Sequence, residues 1–473
     1  MSKQWYYISL LIFLLSFLLR QPLLLVIGLL GLLVVGMADI WIKYCLRNLQ
    51  YTRRFSEQRV LFGEDITLSL SVENAKLLPL PWLEVEDSVP HALTFSDPRV
   101  RISLTTNRAL LENLFSLRWY EKVTRRYTVR CTARGVHSFG PATLRSGDVF
   151  GFQHREETVG DRQYLLVYPL VVPLTRFGLP ARYPFGDYQT PRRILEDPSR
   201  VIGVRDYTYG DELRRVHWKA TARAMKLQSK VYQPTTTYTL VLFLNVMAQM
   251  DVWYGFHPEL TELAICAAAS VADWALDHGY AVGLYANTVM YMPELSTSLS
   301  ATEVQALATI EAATAGGQRA TAREQKVDEV IAEQLKRRRI HLPPAGNEEQ
   351  RKRIMETLAR IQTYFGNAIE DVIRTERSRL PAGATVVVVT GTISESMLET
   401  LERVRQSGHA VTLLFVGDGP APRKLAGVSV YRLGGEDTWQ ELVAGYTRPP
   451  AGTTPVEEDT AVIHQPLPTG FRL

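Results

Sequence analysis

Two nearly unbroken apolar runs open the chain, residues 5–19 and 23–42, separated by Arg20, Gln21 and Pro22. At about 1.5 Å per residue, the second run reaches roughly 30 Å as a helix, the thickness of a bilayer's hydrocarbon core, and the first roughly 22 Å. No small-x-small cleavage site follows the first run; Arg20 and Pro22 stand where it belongs. The pair therefore predicts a transmembrane helical hairpin over residues 1–45, touching lipid through residues 5–42, rather than a cleaved signal. Lys3 precedes the hairpin, Lys43, Arg47, Arg53 and Arg54 follow it, and Arg20 lies in its turn. That asymmetry puts both termini in the cytoplasm and the chain in the cell inner (plasma) membrane. Trp5, Tyr6 and Tyr7 then share an interface with Trp41 and Tyr44. Asp39 admits two readings, a solvated helix end or a buried functional acid.

Beyond the hairpin the period changes to two. Ile66, Leu68, Leu70 and Val72 alternate with Thr67, Ser69 and Ser71; Tyr127, Val129 and Cys131 alternate with Thr128 and Arg130. Each is the pattern of a half-buried strand, with Cys131 on the core face. Short strands with Gly/Pro punctuation, as at Gly135 and Gly140-Pro141, predict a β-rich, sandwich-like unit over residues 55–175. Farther on, continuous apolar strands (238–244, 281–285, 385–390, 411–416, 428–433) alternate with helices (259–277, 302–313, 394–406, 438–446), the last capped by Asp437. Strands apolar on both faces belong to a sheet covered by helices on both sides, so residues 235–447 predict an α/β doubly wound domain. Residues 176–234 connect the two units. A charged insertion, 316–353, carries Lys336-Arg337-Arg338-Arg339 and Arg351-Lys352-Arg353. It reads either as solvated helices of mixed charge or as a patch for anionic lipid. The Pro/Thr/Gly-rich tail, 448–473, is expected to be disordered.

Composition narrows function more than fold. A length of 473 residues exceeds one ordinary core. The net charge of +4 is small for that length, and aromatics scarcely interleave with the basic runs, so nucleic acid is not an expected partner. Cys45, Cys131 and Cys266 lie far apart without CxxC spacing, which gives no disulfide framework and suits a reducing compartment. P-loop, HExxH and GxSxG patterns are missing, so no cofactor and no catalytic residue is expected.

The densest chemistry lies between Tyr207 and Arg223. Gly210 permits a tight turn, and Asp211 can cap the helix that follows or pair with Arg214, Arg215 or Arg223. Trp218 would pack, its N–H needing a partner. Alternatively Arg214, Arg215, Lys219 and Arg223 form a surface for a partner or an anion. A competing reading makes Asp206, Asp211 and His217 an enzyme site, although no nucleophile or paired acid stands at an interpretable spacing. The order tyrosine (Tyr207), Gly210-Asp211, arginine, Trp218, Ala220-Thr221-Ala222-Arg223 resembles the signature of the bacterial domain of unknown function 58 family. Arg134-Gly135-Val136, Gly140-Pro141 and Asp148-Val149-Phe150-Gly151 resemble that family's upstream stretch.

The resemblance implies a two-helix anchor, a β-rich segment and a von Willebrand A-like domain, together spanning nearly the whole chain. The leading reading is a membrane-tethered adaptor that presents this domain to cytoplasmic partners, and the resemblance implies a MoxR-type AAA+ ATPase as one of them. Von Willebrand A metal sites use an Asp-x-Ser-x-Ser run with a later Thr and Asp. Here the run is Asn245-Val246-Met247-Ala248-Gln249, and Thr390 is followed by Gly391-Thr392. Asn245 replaces the acid, and Met247 and Gln249 replace the hydroxyls; Mg²⁺ prefers carboxylate and hydroxyl oxygen, so no metal site is expected.

Overall fold

The structure is a computed structural model describing residues 2–95, 100–103, 108–148, 154–180, 185, 196–234, 238–246, 257–288, 290–291, 340–361, 368–417, 419 and 427–447. It divides into two compact units, residues 1–170 with 443–473, and residues 171–442.

The first unit begins with α1 (Ser2–Leu19) and α2 (Pro22–Tyr44), packed on each other. Pro22 starts α2, where its missing N–H leaves no helical bond unmade. Small residues close the pair: a Cβ on Gly28 would stand 2.7 Å from Phe13 Cα, and one on Gly31 2.8 Å from Ser9 Oγ. Among the described residues, α2 is the one helix long and apolar enough to cross a membrane; the apolar stretch of α1, Tyr6–Ser16, is shorter. Asp39 is exposed on α2.

Short strands follow: β1 (Leu49–Phe55), β2 (Arg59–Val60), β3 (Asp65–Asn74), β4 (Leu80–Pro90), β5 (Thr94–Phe95), β6 (Val100–Ser103), β7 (Arg108–Leu117), β8 (Lys122–Arg130), β9 (Gly135–Phe139), β10 (Ala142–Gly147), β11 (His154–Val159) and β12 (Gln163–Val167). They form sheets ordered β1–β3–β8–β5, β11–β10–β4–β7–β6 and β2–β12–β9. The alternation read from the sequence is the packing. Ile66, Leu68, Leu70 and Val129 from the first sheet meet Val89, Ala109 and Leu111 from the second, with Cys131 buried among them. Burial pushes the Cys131 thiol up to about 12, leaving it protonated at neutral pH.

Arg53 overturns one expectation. Counted above among the cations flanking the hairpin, it lies inside this unit, its side chain 3% exposed beside a fully buried Asp87. Its Nε donates to Asp87 Oδ2 at 2.8 Å, a second nitrogen donates to Asp87 Oδ1, and Nη1 donates to the Phe139 carbonyl at 3.2 Å. The Tyr51 hydroxyl donates to Asp87 Oδ2 at 2.7 Å. Burial, reinforced by the Asp87 charge, holds the Tyr51 phenol far above its usual range. Gly140, with φ +85°, lies so close that a Cβ there would stand 2.8 Å from the guanidinium.

In the second unit, β13 (Glu196–Asp206) and β14 (Gln228–Pro234) make an antiparallel ribbon carrying α3 (Trp218–Ala224) between them. A six-stranded sheet follows, built from β15 (Thr239–Leu244), β16 (Ala281–Ala286), β17 (Ile340–Ala345), β18 (Thr385–Thr390), β19 (Ala410–Val416) and β20 (Ser429–Gly434). Its order is β17–β16–β15–β18–β19–β20, parallel except for β17. The helices are α4 (Pro258–Asp277), α5 (Glu348–Arg360), α6 (Ile369–Glu376), α7 (Glu395–Gln406) and α8 (Glu436–Thr447), the last belonging to this unit as far as Leu442. Val241, Phe243, Val386, Val388, Val411 and Leu413 bury one face against residues of α6 and α7. Leu240, Leu242, Val387 and Val389 point the opposite way and are equally buried, and the Ala-rich α4 packs on the same strands. Asp437 sits inside the first turn of α8 rather than capping it.

The end of the charged insertion is part of this sheet. Residues 340–345 form its antiparallel edge, where Pro343 and Pro344 cost little because an edge strand needs fewer donors. Gln350 Nε2 donates to the carbonyls of Val282 and Pro343, each at 2.9 Å. Arg351 pairs with Asp273 and Asp277 of α4, so it is not part of an open basic patch. The helix expected at 302–313, the run Lys336 to Arg339 and the tail lie outside the described residues.

Candidate functional site

The segment between β13 and β14 is an excursion closed at its base. Asp206 pairs with Gln228 as the last rung of the ribbon, the Tyr207 amide donates to the Leu227 carbonyl at 2.9 Å, and the His217 amide donates to the Gln228 carbonyl at 2.7 Å. Val216, 2% exposed, bridges to Ser229 and plugs the base.

Asp211 does not cap α3. Its carboxylate closes its own turn, accepting from the Thr208 amide at 3.1 Å, the Thr208 hydroxyl at 3.3 Å and Arg205 at 2.7 Å. The Thr208 amide and then Arg205 hold this carboxyl below its usual range. Gly210 (φ +112°) supplies the left-handed residue the turn needs, and the Tyr207 hydroxyl donates to the Asp211 carbonyl at 3.0 Å. The cap of α3 is His217, whose Nδ1 accepts from the Ala220 amide at 3.1 Å. Arg214 and Arg215 lean on Glu212, at 2.7 and 3.9 Å, not on Asp211. Asp211→Ala is therefore expected to loosen the 207–211 turn and speed tryptic cleavage at Arg205, Arg214 and Arg215, with Asp211→Asn intermediate because it keeps one of the two acceptor oxygens. Equal cleavage of all three proteins would show that the carboxylate does not hold the turn.

Trp218 reverses its expectation. It does not pack; it is 68% exposed, and Tyr209, Leu213 and Met225 are exposed beside it in sequence. Lys219 and Arg223 are exposed on α3. Residues 205–227 hold six cations and three acids. The excursion thus presents aromatic and aliphatic side chains among guanidinium and ammonium groups, with its few carboxylates already engaged.

Residues 203–342 match the family model described as "Protein of unknown function DUF58". The chain contains a DUF58 region. It runs from within β13, through the excursion, to β17. The YeaD protein of Bacillus subtilis is 24% identical over 260 residues, a match covering 52% of this chain and 58% of YeaD. The chain therefore spans a little over half the length of that relative. Among solved structures, a cohesin of Archaeoglobus fulgidus is 14% identical with a TM-score of 0.17, covering 25% of this chain and 91% of its own. A CARDB domain from Pyrococcus furiosus is 9% identical with a TM-score of 0.17, covering 26% and 96%. Nothing about this chain follows from scores so low.

The second locus lies within the DUF58 region and beyond it, at the carboxyl ends of β15, β16 and β18. Asn245 Nδ2 donates to Thr390 Oγ1 at 2.9 Å and to Thr392 Oγ1 at 3.4 Å. Asn287 Nδ2 donates to Asn245 Oδ1 at 2.8 Å, and Asn287 Oδ1 accepts from the Val246 amide at 3.1 Å. This network is neutral and buried. The amide nitrogen of Asn245 faces the hydroxyls that would have to face a cation, and among the described residues no carboxylate belongs to the set, so these residues do not fit a hard metal ion. Met247 and Gln249 lie outside the described residues.

Proposed function

We propose that this chain is a membrane-tethered adaptor. In this reading α1 and α2 hold it in the cell inner membrane with both termini in the cytoplasm. Its α/β domain is von Willebrand A-like, and the DUF58 excursion is the surface that a protein partner reads. The observation that carries the proposal is the outward placement of Trp218, Tyr209 and Met225 among Arg214, Lys219 and Arg223. Exposed Trp, Tyr and Arg are the residue types that dominate binding interfaces, and the cation excess calls for a partner with an acidic rim around an apolar pocket. The class proposed is a MoxR-type AAA+ ATPase. Two features support the von Willebrand A likeness: the parallel sheet in which β15 lies between β16 and β18, and a polar network where the strand order switches.

A pull-down from detergent-solubilised membranes tests it. The wild-type chain is expected to enrich an AAA+ ATPase, and Tyr209→Ala/Trp218→Ala to lose about tenfold or more, equivalent to about 1.4 kcal/mol. Repeated recovery of no ATPase by the wild type would sink the proposal. The competing enzyme reading finds no support in the geometry. Asp206 accepts from Gln228, Asp211 holds a turn and His217 caps a helix. A hydrolase activity lost in a folded Asp211→Ala variant would revive it.

A further inference from the structure

The strands of the first unit bring three features to one end of the β-rich fold: the exit of α2, the β3–β4 loop and the β7–β8 turn. Pairing of Leu49 with Asn74, Glu73 with Lys122 and Leu80 with Leu117 places them there. Hydrogen bonds tie them together. The Ala75 amide donates to the Asn48 carbonyl at 3.0 Å, and the Tyr120 amide to the Lys76 carbonyl at 3.3 Å. Asn74 Nδ2 donates to the carbonyls of Leu78 and Arg118, at 3.0 and 2.8 Å. The helix end is not on a loose tether. Cys45 and Leu46 are buried in the core with Val72, Leu80, Phe115 and Leu117, and Trp41 packs against them.

On this end, Leu77 is 73% exposed and Trp119 63%, with Tyr120 and Tyr44 also outward. Lys43, Arg47, Arg118, Lys122 and Arg155 are exposed around them. The acids of the two loops are engaged, Glu73 with Lys122 at 3.3 Å and Glu121 with the Arg118 amide at 2.6 Å. An aromatic and leucine tip ringed by cations suits the headgroup layer of an anionic bilayer, where Trp and Tyr concentrate and each basic residue adds attraction. The length of α2 agrees. Its 23 residues reach about 35 Å, so its last turn emerges at headgroup level beside these loops.

We propose that the Leu77 loop and the Trp119–Tyr120 turn form a second membrane contact, seating this end of the β-rich fold in the lipid headgroup layer. The proposal rests on α2 crossing the membrane. The test uses the full chain in nanodiscs of phosphatidylcholine and phosphatidylglycerol, with an environment-sensitive dye on Leu77→Cys, Tyr120→Cys or Glu57→Cys. The native thiols are buried, so maleimide labelling goes to the introduced cysteine. Glu57 is exposed just past β1, whose Phe55 pairs with Leu68 at the end of the strands away from Leu49 and Asn74. Headgroup-level spin-labelled lipid is expected to quench the dye at 77 and 120 several-fold more than at 57. Trp119→Asp is expected to abolish the excess at 77 while the chain still co-elutes with the disc. Equal quenching at all three sites, with the chain in the disc, overturns the contact. A chain that does not co-elute overturns the crossing reading of α2 and the contact with it. Quenching undiminished in discs without phosphatidylglycerol overturns the role given to the cations.

Discussion

Asp87→Ala is expected to destabilise the β-rich fold by about 3–5 kcal/mol, the cost of leaving a buried charge without its partner. The deletion strands the Arg53 guanidinium, since Nε and one terminal nitrogen bond to that carboxylate, and it orphans the Tyr51 hydroxyl as well. Burial alone disfavours the charged guanidinium; the bonds from Asp87 outweigh that and hold the Arg53 pKa above its usual value. Remove them and the burial penalty is opposed by little beyond Tyr51 and the Phe139 carbonyl. The pair itself is not expected to add much net stability, because desolvating two ions offsets most of their attraction. Arg53→Met/Asp87→Leu is therefore expected to recover most of the loss. Pulse proteolysis of the detergent-solubilised full chain across a urea series reads both variants. A single-variant loss below about 1 kcal/mol would mean the pair behaves as an exposed one. A double variant as unstable as Asp87→Ala would mean that Arg53 matters for shape more than for charge.

This pair shows where a sequence stops being legible. Arg53 follows Lys43 and Arg47 at the foot of an apolar helix, and one-dimensional patterning assigns all of them to the interface. Its burial depends on Asp87, thirty-four positions away, and no periodicity links the two. The strands themselves were legible, because alternation over residues 66–72 and the valines of residues 385–390 report one-sided and two-sided burial directly. β17 was not, since Pro343 and Pro344 argue against a strand unless it is known to lie at an edge. In the signature, the residues were recognisable but their jobs were exchanged. Both Asp211 and His217 can accept from a helix N-terminus, and spacing alone favours the more usual aspartate. The structure gives the turn to Asp211 and the cap to His217, because Glu212 to Val216 intervene before α3 begins. Trp218 was expected inside on hydrophobicity alone. Yet α3 is seven residues long and none of them is buried, so it offers no core for an indole to join.

Asn245→Asp carries the second large effect and probes the strand-end network. Asn245 gives two hydrogen bonds, to Thr390 and Thr392, and accepts one from Asn287. Aspartate keeps the acceptor, loses both donors and adds a charge where exposure is 5%. Thr390 Oγ1 already donates to the Thr392 carbonyl at 2.7 Å, so it cannot readily turn to serve the new carboxylate. A loss of about 3 kcal/mol at neutral pH follows from a buried charge that the Asn287 amide meets only in part. Burial raises the pKa of such a carboxyl in the folded state above its unfolded value of about 3.9. The unfolded chain then releases its proton first as the pH rises, so the variant loses stability between about pH 4 and 7 and approaches wild type in acid. Magnesium separates two accounts of the locus. The wild type, with an amide nitrogen facing the hydroxyls, is expected to show no change in stability with millimolar Mg²⁺, whereas Asn245→Asp is expected to regain part of its loss, because a carboxylate and two threonine hydroxyls supply hard oxygen ligands. A wild-type response would show that the network binds a cation after all. A variant deaf to magnesium would remove the strand ends as support for the von Willebrand A likeness, leaving the exposed excursion to carry the adaptor proposal alone.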